Sequence, residues 1–232
     1  MNLAERLRQN RETYEKAGIA KPIKKRKKPE GLREKLKIRK TRKKKELYKP
    51  IYWYHGNVKF PDTEVEKMIS DLTKQGDHIK SLMEKSELEA WEESSISTYY
   101  FDVHERPDAI WQPRYNEIVE EITKTIGIQS STRYVWDYWS QLYFANDFHA
   151  AHNHSNLQES ISFVHFIKPT KENNFVFIDN AGNEHVPPEQ NEGDIVCFPS
   201  YIWHKVKPLK SGTRYVISGN IEITQIERDF PL

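Results

Sequence analysis

Apolar positions recur at helical spacing in the first half of the folded region, and runs rich in aromatic and β-branched residues follow in the second. Val65, Met68, Ile69 and Leu72 share one helical face, and Asp62 or Thr63 stands before them as an expected N-cap. A second helix is expected around Ile79 to Trp91. A third is expected from about Asp108 to Ile126, with Ile110, Tyr115, Ile118, Ile122 and Ile126 on its apolar side. Before them, Ile51-Tyr52-Trp53-Tyr54 is aromatic and β-branched enough for a first strand. After Gly127 the character changes. Tyr134 to Phe144 reads as a long strand, and further strands are expected at Ser160 to Ile167, Asn174 to Ile178, Asp194 to Phe198, Trp203 to Val206 and Arg214 to Ile223. Asn180-Ala181-Gly182-Asn183, Pro187-Pro188 and Ser211-Gly212 are turn signals between them. Helices followed by many short strands predict helices buttressing an antiparallel sandwich or barrel, with no internal repeat.

Residues 1–50 do not share this patterning. From Lys21 to Lys45 the only large apolar residues are Ile23, Leu32, Leu36 and Ile38. Such a segment cannot bury enough surface to offset its chain entropy, so by itself it is expected to be disordered or transiently helical. A short helix over residues 2–16 is compatible with Leu3 and Leu7 on one face. Two domains are therefore expected: a basic N-terminal arm over 1–50 and a folded domain over 51–232.

Charge sharpens that division. The whole chain carries only +2, but residues 1–50 hold 20 Lys or Arg against 6 Glu, a net +14, and the remainder carries −12. Runs such as Lys24-Lys25-Arg26-Lys27-Lys28 suit phosphate contact, so the arm predicts an anionic partner: nucleic acid, a ribonucleoprotein or an acidic assembly surface. No aromatic residue interrupts Lys21 to Lys45, which argues against base stacking. No apolar run approaches the roughly 20 residues that span a bilayer. The N-terminus lacks the apolar stretch of a secretory signal. Cys197 is the single cysteine, so no intrachain disulfide can form, in keeping with a reducing, cytoplasmic setting.

Candidate chemistry lies in the histidines. Four of nine fall between positions 149 and 165: His149, His152, His154 and His165. An H-x-H pair in an extended segment puts both imidazoles on one face, which His152 and His154 satisfy if residues 151–155 are extended. Neutral imidazole suits Fe, Zn, Cu and Ni. His204, on a distant strand, is the candidate for a third ligand. Ten positions later Arg214 opens a strand otherwise uncharged as far as Asn220, and an inward guanidinium there calls for an anion. His165, between Val164 and Phe166, reads as a satisfied core histidine, and His149 as a loop or outer-shell residue.

These residues carry a family resemblance. The segment Ile161 to Pro169, the block Gly193-Asp194-Ile195-Val196-Cys197-Phe198-Pro199-Ser200 leading to His204 and Pro208, and the terminal Arg214 and Asn220 resemble the core of the 2-oxoglutarate and Fe(II) dependent dioxygenases. The nearest branch is related to prolyl 4-hydroxylases and is common in bacteriophage genomes. The resemblance covers roughly residues 134–223. It implies a double-stranded β-helix (a jelly roll, cupin-like) buttressed by the N-terminal helices. It implies Fe(II) held by His152 and His204, and 2-oxoglutarate held by Arg214 with help from Tyr143, which stands nine residues before His152, and Asn220. Two positions depart from the family: Val216 stands two residues after Arg214 where many relatives have Ser, and most members have H-x-D, where here the Asp position is His154. A neutral ligand replaces an anionic one, admitting a three-histidine site or a carboxylate from Asp147 or Glu159. Two functions from different classes follow. One is a dioxygenase carrying a basic targeting arm. The other is a structural or adaptor subunit of a virion or ribonucleoprotein on the same fold.

The arm generates its own test. Full-length protein should bind nucleic acid at low salt and lose affinity on a log–log slope set by several phosphate contacts. A chain starting at Ile51 should fold and bind little. Equal binding by both would move the anion-contacting surface out of the arm.

Overall fold

The structure, a computed structural model, describes residues 50–85, 93–101, 105–127, 133–154 and 160–225. The basic arm and its expected helix lie outside these residues. Three α-helices are described, α1 (Asp62–Lys74), α2 (Gly76–Lys85) and α3 (Gln112–Thr125). Ten strands accompany them: β1 (Trp53–Asn57), β2 (Ile96–Ser97), β3 (Arg133–Tyr143), β4 (His149–His152), β5 (Ser160–Lys168), β6 (Phe175–Ile178), β7 (Glu184–His185), β8 (Asp194–Pro199), β9 (His204–Val206) and β10 (Arg214–Gln225). They form two antiparallel sheets, in the orders β1-β8-β5-β10-β3-β2 and β4-β9-β6-β7. From β3 to β10 the chain crosses between the sheets at almost every step. Four strands of each sheet thereby make a double-stranded β-helix, and β1 and β2 extend the first sheet at its edges.

The larger sheet buries apolar side chains on both faces, because its strands are covered on both sides, and its inner face also carries polar groups. Side chains alternate along a strand. On β10, Tyr215, Ile217 and Ile221 join the cluster beneath the helices, whereas Arg214 and Val216 point into the β-helix. β5 divides in the same way, with Phe163 and Ile167 toward the helices and Val164 and Phe166 inward. Leu72 of α1, Ile79 of α2, and Tyr115 and Ile122 of α3 are fully buried on the helical side. Each apolar side chain so placed stabilises the fold by about 1.5–3 kcal/mol relative to exposure. Gly219 allows the closest approach within this layer: a Cβ there would lie 2.4 Å from Phe163 and 2.6 Å from the Asp137 carbonyl.

Several expectations shift. The expected strand at Ile51 begins at Trp53, where pairing with Cys197 of β8 starts, and Ile51 is exposed. α1 takes Pro61 as its N-cap, with no side-chain cap. Asp62 and Glu64 sit within the first turn, where their charge favours the positive end of the helix. α2 ends at Lys85, and the expected continuation to Trp91 lies outside the described residues. The third helix starts later than its pattern implies. Pro107 to Trp111 is a 3-10 turn, and Pro113 sits in the first turn of α3. The tighter winding turns Trp111 inward and leaves Ile110 63% exposed.

His165 is a core histidine, as expected. Its Nε2–H donates to the Val58 carbonyl at 2.7 Å, and its Nδ1 accepts from the Tyr115 hydroxyl at 2.8 Å. Burial lowers its pKa to about 4. In the unfolded chain it protonates near pH 6.5. Its contribution to stability is therefore complete above that value and is lost as pH falls toward 4. By linkage, lowering pH from 7.5 to 5 should cost about 2 kcal/mol at this residue alone. A thermal melt series should show the loss, and His165→Gln should flatten it.

Candidate metal centre

The centre is built at the junction of β4 and β9. Their register pairs His149 with Val206 and His152 with His204, so three steps on β4 match two on β9. One extra residue on β4 makes a bulge. Residues three apart on a regular strand face opposite ways. Here the bulge brings His149 and His152 to one side, with rings stacked at 4.0 Å and 17°. His204 lies across the ladder from His152, with ring centroids 4.2 Å apart.

His154 reaches the same point by another route. Strand β4 ends at His152, so the H-x-H pair does not rest on simple strand alternation as expected, and Ser155 lies outside the described residues. Instead the His154 N–H donates to the Ser200 carbonyl at 2.8 Å, a contact from the β8–β9 connection. Its ring is then 5.5 Å from that of His152 and 5.3 Å from that of His204. One nitrogen from each of the three lies within 4.8 Å of the others.

The hydrogen bonds decide which nitrogens can bind. His152 Nδ1 meets the Ala150 carbonyl at 2.9 Å, and His204 Nδ1 meets the Ile202 carbonyl at 2.8 Å. His154 Nδ1 meets the Asn220 side-chain oxygen at 2.9 Å. A carbonyl oxygen can only accept, so each Nδ1 carries the proton and each Nε2 carries the lone pair. Burial lowers all three pKa values, that of His152 to about 4, which keeps the rings neutral at physiological pH. Three fixed, neutral imidazoles with convergent lone pairs form a donor set suited to a divalent metal.

Arg214 enters the same cavity. Its register partner on β3 is Tyr143, and residues directly opposite in an antiparallel pair share a face. The guanidinium carbon lies 5.0 Å from the Tyr143 ring and 5.6 Å from the Phe166 ring. Both Arg214 and Tyr143 are buried, and neither terminal nitrogen of Arg214 meets a hydrogen-bond acceptor among the described residues. Burial works against the charge, and Tyr143 beside it works in favour. The cavity is narrow, about 30 Å³, so a bound dicarboxylate needs side-chain movement in its walls.

Asn220, a cofactor-binding candidate by the resemblance, is engaged by two protein side chains. Its side-chain oxygen accepts from His154 and, at 2.7 Å, from the Ser162 hydroxyl. It holds the His154 ring in place. Asp147 supplies no ligand: its carboxylate accepts from the Phe144 N–H and closes a turn. Glu159 lies outside the described residues. The sequence reading missed three buried polar residues around the cavity, Glu93, Gln141 and Ser162. Gln141 was the most accessible of these, because it sits two residues before Tyr143 on one strand and so shares its face. His149 is an outer-shell residue, but on a strand and not in a loop.

No protein-family model matches the chain, and no curated protein matches it. Among solved structures it is similar to a prolyl-4-hydroxylase of Pseudomonas putida at 14% identity, covering 75% of this chain and 91% of that one, with a TM-score of 0.48. A prolyl hydroxylase from Trichoplax adhaerens, in complex with a hypoxia inducible factor peptide, is 12% identical over 85% of this chain and 94% of that one, with a TM-score of 0.49. The viral collagen prolyl hydroxylase of Paramecium Bursaria Chlorella virus-1, in a 2-oxoglutarate complex, is 13% identical over 75% and 96%, with a TM-score of 0.47.

The donor set predicts a graded response. In Co(II) titrations, His152→Ala, His154→Ala and His204→Ala should each weaken binding more than about a hundredfold. Asn220→Ala removes only an outer-shell partner and should cost about ten- to a hundredfold. Unchanged affinity in His204→Ala would remove the three-histidine centre.

Proposed function

We propose that the domain is an Fe(II) and 2-oxoglutarate dependent dioxygenase that oxidises a substrate delivered in part by the basic arm. The observation that carries this reading is Arg214. A fully enclosed guanidinium whose two terminal nitrogens meet no acceptor among the described residues, with the Tyr143 ring and hydroxyl beside it, is costly, and here it shares one cavity with three metal-competent nitrogens. A carboxylate answers the cation, and an acid that also chelates the metal answers both. His152, His154 and His204 would hold the metal through Nε2. Arg214 would grip the far carboxylate in bidentate fashion. Phe175, Phe198 and Val216 line the cavity and exclude water. Together the metal and keto acid would supply an oxidising centre driven by O2.

The arm completes the proposal. Its net +14 suits a polyanion, with nucleic acid or a ribonucleoprotein as the proposed partner. A non-catalytic role on the same fold, as a subunit of such an assembly, gains support from the three neutral ligands, which depart from the two-histidine, one-carboxylate set of most such oxygenases.

Turnover of 2-oxoglutarate to succinate with Fe(II) and O2 separates the two. Calorimetry with a redox-inert metal should show 2-oxoglutarate binding by wild type. Arg214→Ala should weaken it about ten- to a hundredfold, the range for losing a hydrogen-bonded charge contact. Metal binding without any 2-oxoglutarate binding would leave the non-catalytic reading in place.

A further inference from the structure

Outside the three ligands, one buried acid stands close to the centre. Glu93 forms a backbone bridge with His149 on the open edge of β4. The bridge is reinforced by the Ser94 N–H donating to the Phe148 carbonyl at 3.1 Å, and by the Phe148 N–H donating to the Ser94 hydroxyl at 3.0 Å. Directly opposite residues point to one face, so the carboxylate comes within 3.6 Å of His149 Nδ1, with the two side chains only 2% and 5% exposed. His149 in turn stacks on His152. Three donors hold the carboxylate in place: the Ser95 hydroxyl at 2.7 Å, the Tyr100 hydroxyl at 3.0 Å and the Gln141 amide at 3.4 Å. Among the described residues no Lys or Arg lies within ion-pair distance of it.

A carboxylate that only accepts is well matched to donors, yet burial without a cation opposes its charge and raises its pKa. A divalent metal two rings away would supply the missing cation. The charge count agrees. A divalent ion on three neutral imidazoles, together with Arg214, brings three positive charges into a buried space. A dicarboxylate cancels two. In a site with one carboxylate ligand the third is cancelled by that ligand, and here its place is taken by His154.

We propose that Glu93 is the counter-charge of this centre, supplying from outside the ligand shell, beside His149 and the Gln141 amide that bonds both, the negative charge that a carboxylate ligand would otherwise carry. The assignment rests on the metal reading above, and Glu93 is a positioning residue that touches neither metal nor substrate.

The test uses the full chain, loaded with Co(II) in the absence of keto acid, and measures Co(II) affinity and azide binding to the loaded site. Glu93→Gln should weaken Co(II) binding about ten- to a hundredfold. It should also strengthen azide binding, because the loaded site becomes more positive, a change opposite to that from simple damage. In a His154→Asp background the ligand carries the charge, and Glu93→Gln should cost less than about threefold, since coupled sites are not additive. Glu93→Asp keeps the charge and should stay within about threefold of wild type. Three results each overturn the proposal: wild-type affinity in Glu93→Gln, equal losses in both backgrounds, or a tenfold loss in Glu93→Asp. The last applies even if Glu93→Gln does not fold. Failure of the wild type itself to bind Co(II) is a separate result, which removes the metal reading and this assignment with it.

Discussion

Each metal-competent nitrogen in this domain depends on a proton held at the far side of its own ring. The Ala150 and Ile202 carbonyls and the Asn220 side chain accept from the three Nδ1 atoms and thereby aim the three Nε2 lone pairs. Two of these acceptors are backbone groups two residues before the histidine they hold. They come with the local chain path of β4 and the β8–β9 connection. The third is on β10, and Ser162 of β5 and Ser200 brace it through a hydroxyl chain with contacts of 2.7 and 2.8 Å. The centre is thus fixed by both sheets, and an error in the register of any of those strands would turn a ring away.

The division of β10 between two faces makes this possible. Tyr215, Ile217 and Ile221 anchor the strand to the helical layer, and Arg214 and Val216 line the interior. The anchoring residues fix the interior ones. β3 does the same, with Tyr138 and Leu142 toward the helices and Trp139, Gln141 and Tyr143 toward the cavity. The helices therefore act on the site without touching it. They bury one face of a sheet whose other face carries the polar groups.

The electrostatics are the less usual part of the design. Among the described residues the interior holds one guanidinium and a cluster of four neutral histidines, and a buried acid, Glu93, stands beside it against His149 and Gln141. Most buried charges lie beside a partner. Here the groups are set apart by aromatic rings, an arrangement that acquires its balance from what binds between them.

Much of the fold was legible in the sequence. Aromatic and β-branched runs in β3, β5, β8 and β10, helical spacing in α1 and α3, and turn residues between strands placed most elements within a few residues. The strands near the centre were harder. β4 is four residues long and bulged, so it lacks an alternating pattern, and β2 and β7 are too short to have one. His152, His154, His204 and Arg214 were readable as residue types at suggestive spacing. Their convergence was expected from the family resemblance and not from local pattern, because it depends on a bulge that turns His149 and His152 the same way and on Ser200 holding His154 past the end of its strand. Glu93 carried no local signal at all. It sits 56 positions before His149 and becomes part of the centre through one backbone bridge. Local patterning determined the strands and supplied the ligands. Long-range pairing alone decided which side chains share a space, because a contact between distant strands leaves no periodic trace in either.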